Sequence, residues 1–196
     1  NTILFIVLGL GLVLMFFVSI CLGSVNIPLK DVYTSLTGGE ASKSTWEYII
    51  INYRLPKAIT AVLVGTGLSI SGLLMQTLFR NPLAGPYVLG LSSGASLGVA
   101  FVILGAGFLP SFLQIIALSS YGIVFASTIG STLVLLLVLV VSQKLRDTMA
   151  ILIVGLMFGS FTTAIVSVLT YFSTAEQLQK FTFWSLGSLG NQSWQT

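Results

Sequence analysis

The chain has 196 residues, of which 55% are hydrophobic and only 7% are charged, whereas about a quarter of the residues of a soluble domain carry a charge. The mean hydropathy is +1.03. This composition excludes an ordinary soluble domain and predicts an integral membrane protein. Because the net charge of +3 comes from only eight basic and five acidic residues, it does not indicate nucleic-acid binding.

Long apolar stretches without charges predict membrane-spanning helices, since about 20 apolar residues cross the hydrocarbon core of a bilayer. The stretches are continuous and do not alternate over about ten residues, which favours a helical bundle over an outer-membrane barrel. The predicted fold is therefore all-α, a polytopic transmembrane helical bundle. Five spans are predicted, over residues of about 3–22, 57–79, 87–105, 115–141 and 148–172.

The segments between these spans are polar or rich in glycine and proline. Residues 24–56 form a predicted exposed loop with short helical pieces, and residues 80–86 and 143–147 form short turns. The glycine- and proline-containing segment at 105–111 divides a long uncharged run into two spans. We expect residues 1–196 to be a fragment of a longer membrane protein.

The residues needed for most chemistry are absent. The chain has no histidine and one cysteine, Cys21, within an apolar run, so neither an intrachain disulfide nor a His/Cys metal site is predicted. All five carboxylates fall outside the apolar stretches, and no phosphate-binding Gly-x4-Gly-Lys-[Ser/Thr] motif occurs. We expect no catalytic residue, metal or cofactor, and any ATP hydrolysis must come from another chain.

Small residues recur at every fourth position in three of the predicted spans. Such stripes allow close helix packing in lipid, and hydroxyl-bearing members could instead line a wet pathway. Gln76 could form a hydrogen bond between helices or contact a ligand. The stripes comprise Ala61, Gly65 and Ser69; Gly90, Gly94 and Gly98; and Gly155, Gly159, Thr163 and Ser167.

Several motifs in a fixed order resemble one family, the membrane permeases of ABC importers for iron-siderophores, haem and cobalamin. The resemblance covers nearly the whole chain, and the first span is its least distinctive part. Its motifs are Arg54-Leu55-Pro56-Lys57, Ser71-Gly72 with Gln76, Arg80-Asn81-Pro82-Leu83-Ala84-x-Pro86, Leu89-Gly90, Gly94-Ala95, Tyr171-Phe172-Ser173-Thr174, and Trp184-Ser185-Leu186-Gly187-Ser188-Leu189-Gly190 with Trp194.

The resemblance implies a non-enzymatic transport subunit for an iron chelate (siderophore or haem) or cobalamin. Residues 1–196 would then be the N-terminal part of a single transmembrane permease domain of roughly ten spans. It implies a second permease subunit, identical or paralogous, two cytoplasmic ATPase subunits and an external or periplasmic substrate-binding protein. The location would be the cytoplasmic (inner) membrane of a prokaryote, crossed several times. A cytoplasmic N-terminus would place residues 24–56 outside and the turns at 80–86 and 143–147 inside.

The resemblance also implies roles for individual residues. Arg54 and Lys57 would dock the binding protein, although basic side chains also reach towards the membrane interface for purely structural reasons. A cytoplasmic gate would lie at the turn before the fifth span, where a simple helix cap is the alternative. The gate residues would be Asp147, Thr148 and Met149; the pathway would be lined by Gly155, Gly159, Thr163 and Ser167; and the family turn would contain Gln76, Arg80, Asn81, Pro82 and Pro86.

Two other classes of function remain as alternatives. A secondary transporter or channel would need buried ionisable residues or broken helices at the membrane midplane, and the apolar stretches lack the former. A non-transporting membrane scaffold is disfavoured by the three small-residue stripes and by the basic residues before the second span.

Overall fold

The computed structural model describes residues 2–108, 110–145, 147–190, 192 and 194, and these contain helices and no β-strand. This confirms the predicted all-α class. The α-helices are α1 (Thr2–Cys21), α2 (Leu29–Leu36), α3 (Ser44–Ile49), α4 (Leu55–Phe79), α5 (Leu91–Ile103), α6 (Ser111–Ala117), α7 (Ser120–Ser142), α8 (Thr148–Tyr171) and α9 (Ala175–Leu186).

Four helices in the described ranges are long and apolar enough to cross a membrane. Three of them correspond to the first, second and fifth predicted spans. Their ends agree within two residues, except that the second helix begins earlier because a helical segment precedes α4. They are Thr2–Cys21, Ser44–Phe79, Ser120–Ser142 and Met149–Tyr171.

The third and fourth predicted spans have different bounds from those expected. In place of a helix over 87–105, a 3-10 turn at Pro86–Leu89 is followed by Gly90 at φ +74° and then by the 13-residue α5. In place of a helix over 115–141, α6 ends at Ala117 and α7 begins at Ser120. The hydroxyl of Ser119 accepts from the backbone N–H of Gly122 at 3.1 Å, so this residue caps a new helix.

The second membrane helix is preceded by α3 and a π-helical turn at Ile50–Arg54, so the helical backbone is continuous over Ser44–Phe79. Residues 24–56, predicted as an exposed loop with short helical pieces, indeed contain α2 and α3. The segment is more buried than expected, because Val32 and Ile50 belong to a hydrophobic core.

The chain divides into two compact units. The first comprises Asn1–Gly67 and Ser188–Thr196. Its core is formed where the end of α1, the loop helices and the start of α4 meet, and Phe16, Trp46 and Leu55 pack around it. The buried core residues are Ile20, Ile27, Val32, Ile50 and Ala58.

The second unit comprises Leu68–Gly187, and α5 is its central helix. α5 packs against α7, α8 and α9. One cluster, which includes Val99 and Phe181, joins α5 to the amphipathic α9. Another, which includes Leu89 and Val138, joins the segment before α5 to α7.

Candidate functional site

A polar cleft of about 410 Å³ lies within the second unit, between α8 and the start of α5. Two helices position it: the 3-10 turn and Gly90 lead into α5 on one side, and the small-residue stripe of α8 forms the other. The lining residues are Tyr87, Gly90, Ser93, Gly155, Leu156, Gly159, Ser160 and Thr163.

The narrow end of this cleft requires glycine on both sides. A Cβ atom on Gly90 would lie 2.8 Å from the carbonyl oxygen of Gly155, and one on Gly155 would lie 2.8 Å from the Cα of Leu89. The backbones of α8 and the α5 entry are therefore in direct contact here. Gly90 also has φ +74°, a conformation that L-residues with side chains rarely adopt.

The α8 stripe divides into a packed part and an open part. Gly155 is packed against backbone, whereas a Cβ atom on Gly159 would make an ordinary contact of 3.5 Å with Ser93 Oγ. Thr163 lines the cleft and is exposed. Ser167 is also exposed but is not among the lining residues. Of the four predicted pathway residues, the structure brings three to one cleft.

The chemistry of the cleft is neutral. Its lining includes three serine or threonine hydroxyls and one phenol, but no charged side chain. Thr163 Oγ1 donates to the carbonyl oxygen of Gly159 at 2.8 Å and Ser160 Oγ to that of Leu156 at 2.9 Å, so both keep unused acceptor capacity. Such a surface can hydrogen-bond a passing polar solute without holding an ion.

Sequence reasoning missed Tyr87, Ser93 and Ser160 as members of this cleft. Ser93 follows Gly90 by three residues, so the two share one face of α5 near its start. That spacing in the sequence could have identified Ser93 as a member of the cleft. The break at Gly90, which turns this face towards α8, was not visible from hydropathy.

Gly94 and Gly98, the part of the stripe that lies within α5, pack against the backbone of α7. A Cβ atom on Gly94 would lie 2.7 Å from the carbonyl oxygen of Gly130, and one on Gly98 would overlap the carbonyl oxygen of Ala126. The small residues on α7 that lie opposite them, Ala126 and Gly130, were not predicted from the sequence. Backbone contact of this kind is how membrane helices associate closely.

The stripe on α4 is different, because Ala61, Gly65 and Ser69 are exposed. A Cβ atom on Gly65 would meet nothing within 4 Å. Gln76, on the same helix, is also exposed. The close packing predicted for this stripe is not made by the described residues.

The Arg80–Pro86 motif forms a turn after α4 that backbone hydrogen bonds hold in place. The N–H groups of Asn81 and Arg80 donate to the carbonyl oxygens of Gln76 (3.1 Å) and Thr77 (3.4 Å), which is the Schellman arrangement. Arg80 takes the left-handed conformation, φ +47°, at the position where glycine is usual.

Asn81 then begins a second turn. Its Oδ1 accepts from the N–H of Leu83 at 2.9 Å, and its carbonyl oxygen accepts from the N–H of Ala84 at 3.1 Å. Pro82 follows at the position that favours proline in such turns. Pro86 begins the 3-10 turn. Backbone geometry thus explains the motif. The side chain of Arg80 is exposed and available for other contacts.

The predicted gate residues lie at the start of α8. Asp147 caps the helix, because its Oδ1 accepts from the N–H of Met149 at 3.0 Å. Met149 is 58% exposed. Thr148 is the first residue of α8, and its side chain lies outside the described part of the structure.

The two predicted docking residues have different environments. Arg54 is only 8% exposed, and its guanidinium donates to the carbonyl oxygens of Ile20, Cys21 and Val25. Lys57 is exposed, on the rim of a cleft of about 580 Å³ in the first unit that also contains Ser24 and Tyr53.

A carboxylate closes the loop that precedes Arg54. Asp31 Oδ1 accepts from both the N–H and the hydroxyl of Ser42, each at 2.7 Å. These hydrogen bonds hold the pKa of Asp31 below its usual value.

The described residues contain no group of three or more His, Cys, Asp or Glu side chains that could hold a metal ion.

Comparison with known proteins gives a consistent result. The family model described as the FecCD transport family matches residues 11–196. The hemin transport system permease protein HmuU of Yersinia pestis is 38% identical over 191 residues, which cover 96% of this chain and 55% of that protein. The vitamin B12 import system permease protein BtuC of Klebsiella pneumoniae is 32% identical over 190 residues, 95% of this chain and 52% of that protein.

One solved structure covers the whole chain. It is an inward-facing conformation of a protein described as a metal-chelate type ABC transporter, with a TM-score of 0.80 and 27% identity over 100% of this chain and 56% of that one. The chain thus spans about half the length of the relatives that it matches.

Proposed function

Because the chain belongs to the FecCD transport family, we propose that it is the N-terminal part of the membrane-embedded permease of an ATP-driven importer. The observation that carries the proposal is the family match over residues 11–196, on a chain with four apolar helices of membrane-spanning length. The chain itself would do no covalent chemistry. It would form one wall of a pathway that opens alternately to either side of the membrane.

We propose that the complete importer sits in the cytoplasmic (inner) membrane of a prokaryote. A second permease, identical or paralogous, two cytoplasmic ATPase subunits and an external binding protein would complete it. Residues 2–21, 58–79, 120–142 and 149–171 of the apolar helices contain no Asp, Glu, Lys, Arg or His that could couple an ion. Asp31 lies in the short helix α2, and Asp147 caps α8. This supports energy input from a partner over a secondary transporter.

The proposed substrate is an iron chelate, with haem as the first candidate. The support is the 38% identity to a permease named for hemin, against 32% to one named for vitamin B12. The neutral, hydroxyl-bearing cleft beside α8 is compatible with a bulky solute that must pass without being retained.

Individual residues receive proposed roles within this scheme. Gly159 and Thr163 line the pathway, Met149 belongs to a cytoplasmic gate, and Lys57 receives an acidic side chain of the binding protein. Thr163, Met149 and Lys57 are exposed, and Gly159 borders the cleft, which supports these roles. Arg80, on the turn proposed to be cytoplasmic, would be available to the ATPase.

Uptake by cells tests the proposal directly. A strain that lacks the full-length gene should lose ATP-dependent accumulation of haemin, and the gene on a plasmid should restore it. Parallel measurements with a ferric siderophore and with cyanocobalamin identify the substrate. Normal accumulation of all three compounds in the deletion strain would contradict the proposed function.

A further inference from the structure

Arg54 is buried although no carboxylate among the described residues forms an ion pair with it. It is 8% exposed, and within the described part of the chain the ion pair found joins Lys180 to Glu176. A buried guanidinium without an opposite charge is costly unless its N–H groups are satisfied. The acceptors that satisfy it therefore explain why it lies there.

Two of the three acceptors belong to the C-terminal end of α1, and the third belongs to the segment that follows it. Nη1 donates to the carbonyl oxygens of Ile20 and Cys21, each at 2.9 Å, and Nη2 donates to that of Val25. The last carbonyl groups of a helix have no partner within the helix, and the helix dipole places partial negative charge there. A cation that bridges them supplies both the missing donors and the complementary charge.

α1 has few other attachments within its unit. Of its 20 residues only Ile20 is buried, and this residue also provides one of the carbonyl groups that Arg54 binds. Gly23 lies directly beneath the guanidinium, since a Cβ atom there would be 2.8 Å from Nη2 and 2.9 Å from Cζ. The absence of a side chain at Gly23 leaves room for the bridge.

We infer that Arg54 is a positioning residue that fastens the end of α1 to the start of α4 and thereby fixes the segment between Cys21 and Val25. The exposed charge near this end of α4 is Lys57, one helical turn further on. The inference deepens the proposed function and rests on it in one respect, because Arg54 and Lys57 line the same cleft and Arg54 would hold in place the surface on which the binding protein docks. The attachment itself does not depend on any transport activity.

Cys21 provides a reporter of this attachment. It is partly exposed, and its carbonyl group is one of the three acceptors. We would label the full-length permease in lipid nanodiscs with a maleimide and quantify modification of the peptide that contains Cys21 by mass spectrometry. The variants are Arg54→Gln, Arg54→Lys and, as the control for a nearby exposed cation, Lys57→Gln.

Arg54→Gln should raise the labelling rate at Cys21 by about tenfold or more, which corresponds to about 1.4 kcal/mol in the opening equilibrium. Arg54→Lys, which keeps the charge and some donors, should raise it less, and Lys57→Gln should leave it unchanged. The ratio of rates should be the same at low and high salt, because the bridge is buried from the ions that screen surface charges. Labelling of Arg54→Gln at the wild-type rate, or equal effects of Arg54→Gln and Lys57→Gln, would overturn the inference.

A second pair of variants covers the case in which Arg54→Gln does not assemble. Gly23→Ala should displace the guanidinium and raise labelling, whereas Gly11→Ala, within α1, adds a methyl group that meets nothing within 4 Å. Equal labelling of these two variants would also overturn the inference. Raised labelling of Arg54→Gln, together with normal accumulation of all three compounds in the deletion strain, would count against the proposed function alone.

Discussion

Gly90 shows how much a single residue determines in this bundle. It ends the 3-10 turn, starts α5 and touches the backbone of α8, and its φ of +74° lies in the left-handed region. Hydropathy placed a single helix over 87–105 because none of its residues is charged. A glycine conformation is not encoded in hydropathy, so this break could not be predicted from composition.

Replacing Gly90 with alanine should destabilise the protein strongly. The left-handed backbone and the contact of 2.8 Å with the carbonyl oxygen of Gly155 together cost at least about 2 kcal/mol. Thermal unfolding of the purified full-length permease in detergent measures this. Gly67→Ala is the matched control, since a methyl group there meets nothing within 4 Å and alanine favours the helix. Equal unfolding temperatures for both variants would contradict the expectation.

Asp31 gives a prediction for pH. Its pKa is lowered in the folded protein by the two hydrogen bonds from Ser42, so this contribution to stability is present above the ordinary carboxyl pKa. It is lost as the pH falls through the lowered value, when the folded carboxylate takes up a proton. Hydrogen exchange of residues 31–42 should therefore rise, relative to the intrinsic rate, only in strongly acidic solution.

Asp31→Asn tests the same hydrogen bonds without changing the pH. The amide keeps an acceptor but loses the charge, so exchange in residues 31–42 should already be faster near neutral pH and should show no further acid transition. Glu40→Gln is a control within the same segment, because Glu40 is exposed. An acid transition that persists in Asp31→Asn would assign it to another group.

At the scale of elements, the bounds of a helix could be predicted where one apolar run forms one helix that packs mainly through one end or one face. α1, α4 and α8 fit this description, and their predicted and observed bounds nearly agree. The division between α6 and α7 depends on one serine cap at Ser119, a local hydrogen bond that an apolar sequence permits but does not impose. The division between α4 and α5 was predicted, because Arg80, Asn81 and Pro82 interrupt the apolar run.

The site was partly predictable for a related reason. A stripe with hydroxyl groups on α8 indicated a special face, and the structure does place a polar cleft along it. Sequence could not assign Gly155 to packing and Gly159 to the cleft, because both positions are glycine. Only the backbone that lies opposite each one distinguishes them.

Bulk on the open part of the α8 stripe should reduce transport more than stability. Gly159→Leu and Thr163→Leu place side chains in the cleft, whereas Val168→Leu adds bulk at an exposed position of α8 outside it. Uptake of haemin by complemented cells should fall severalfold for the first two and stay normal for the third, at equal membrane levels. Uptake unaffected by Gly159→Leu and Thr163→Leu would assign this face to lipid or to packing.

At the scale of the whole importer, the exposed charge of Lys57 should influence docking. Exposed charge pairs mainly set the encounter rate and its salt dependence. Lys57→Glu should therefore slow binding of the external partner to the reconstituted permease, most strongly at low salt, and reversal of an acidic residue on the partner should restore part of the rate. Lys43→Glu, in the preceding loop, is the control; identical rates for wild type and Lys57→Glu at every salt concentration would exclude the role.

The proposed gate makes a prediction about two permease copies. Met149 is 58% exposed two residues beyond the cap at Asp147, so its side chain is available to a second subunit. If the starts of α8 from both copies close the cytoplasmic side, a disulfide or a short bifunctional crosslink between Met149→Cys residues should form and stop uptake without dissociating the complex. Crosslinking at position 148 should act in the same way. The variant Lys144→Cys, in the turn before α8, controls for crosslinking anywhere on this side. Complete crosslinking at position 149 with normal uptake would show that these residues do not form the gate, whereas reduction of the crosslink should restore transport if they do.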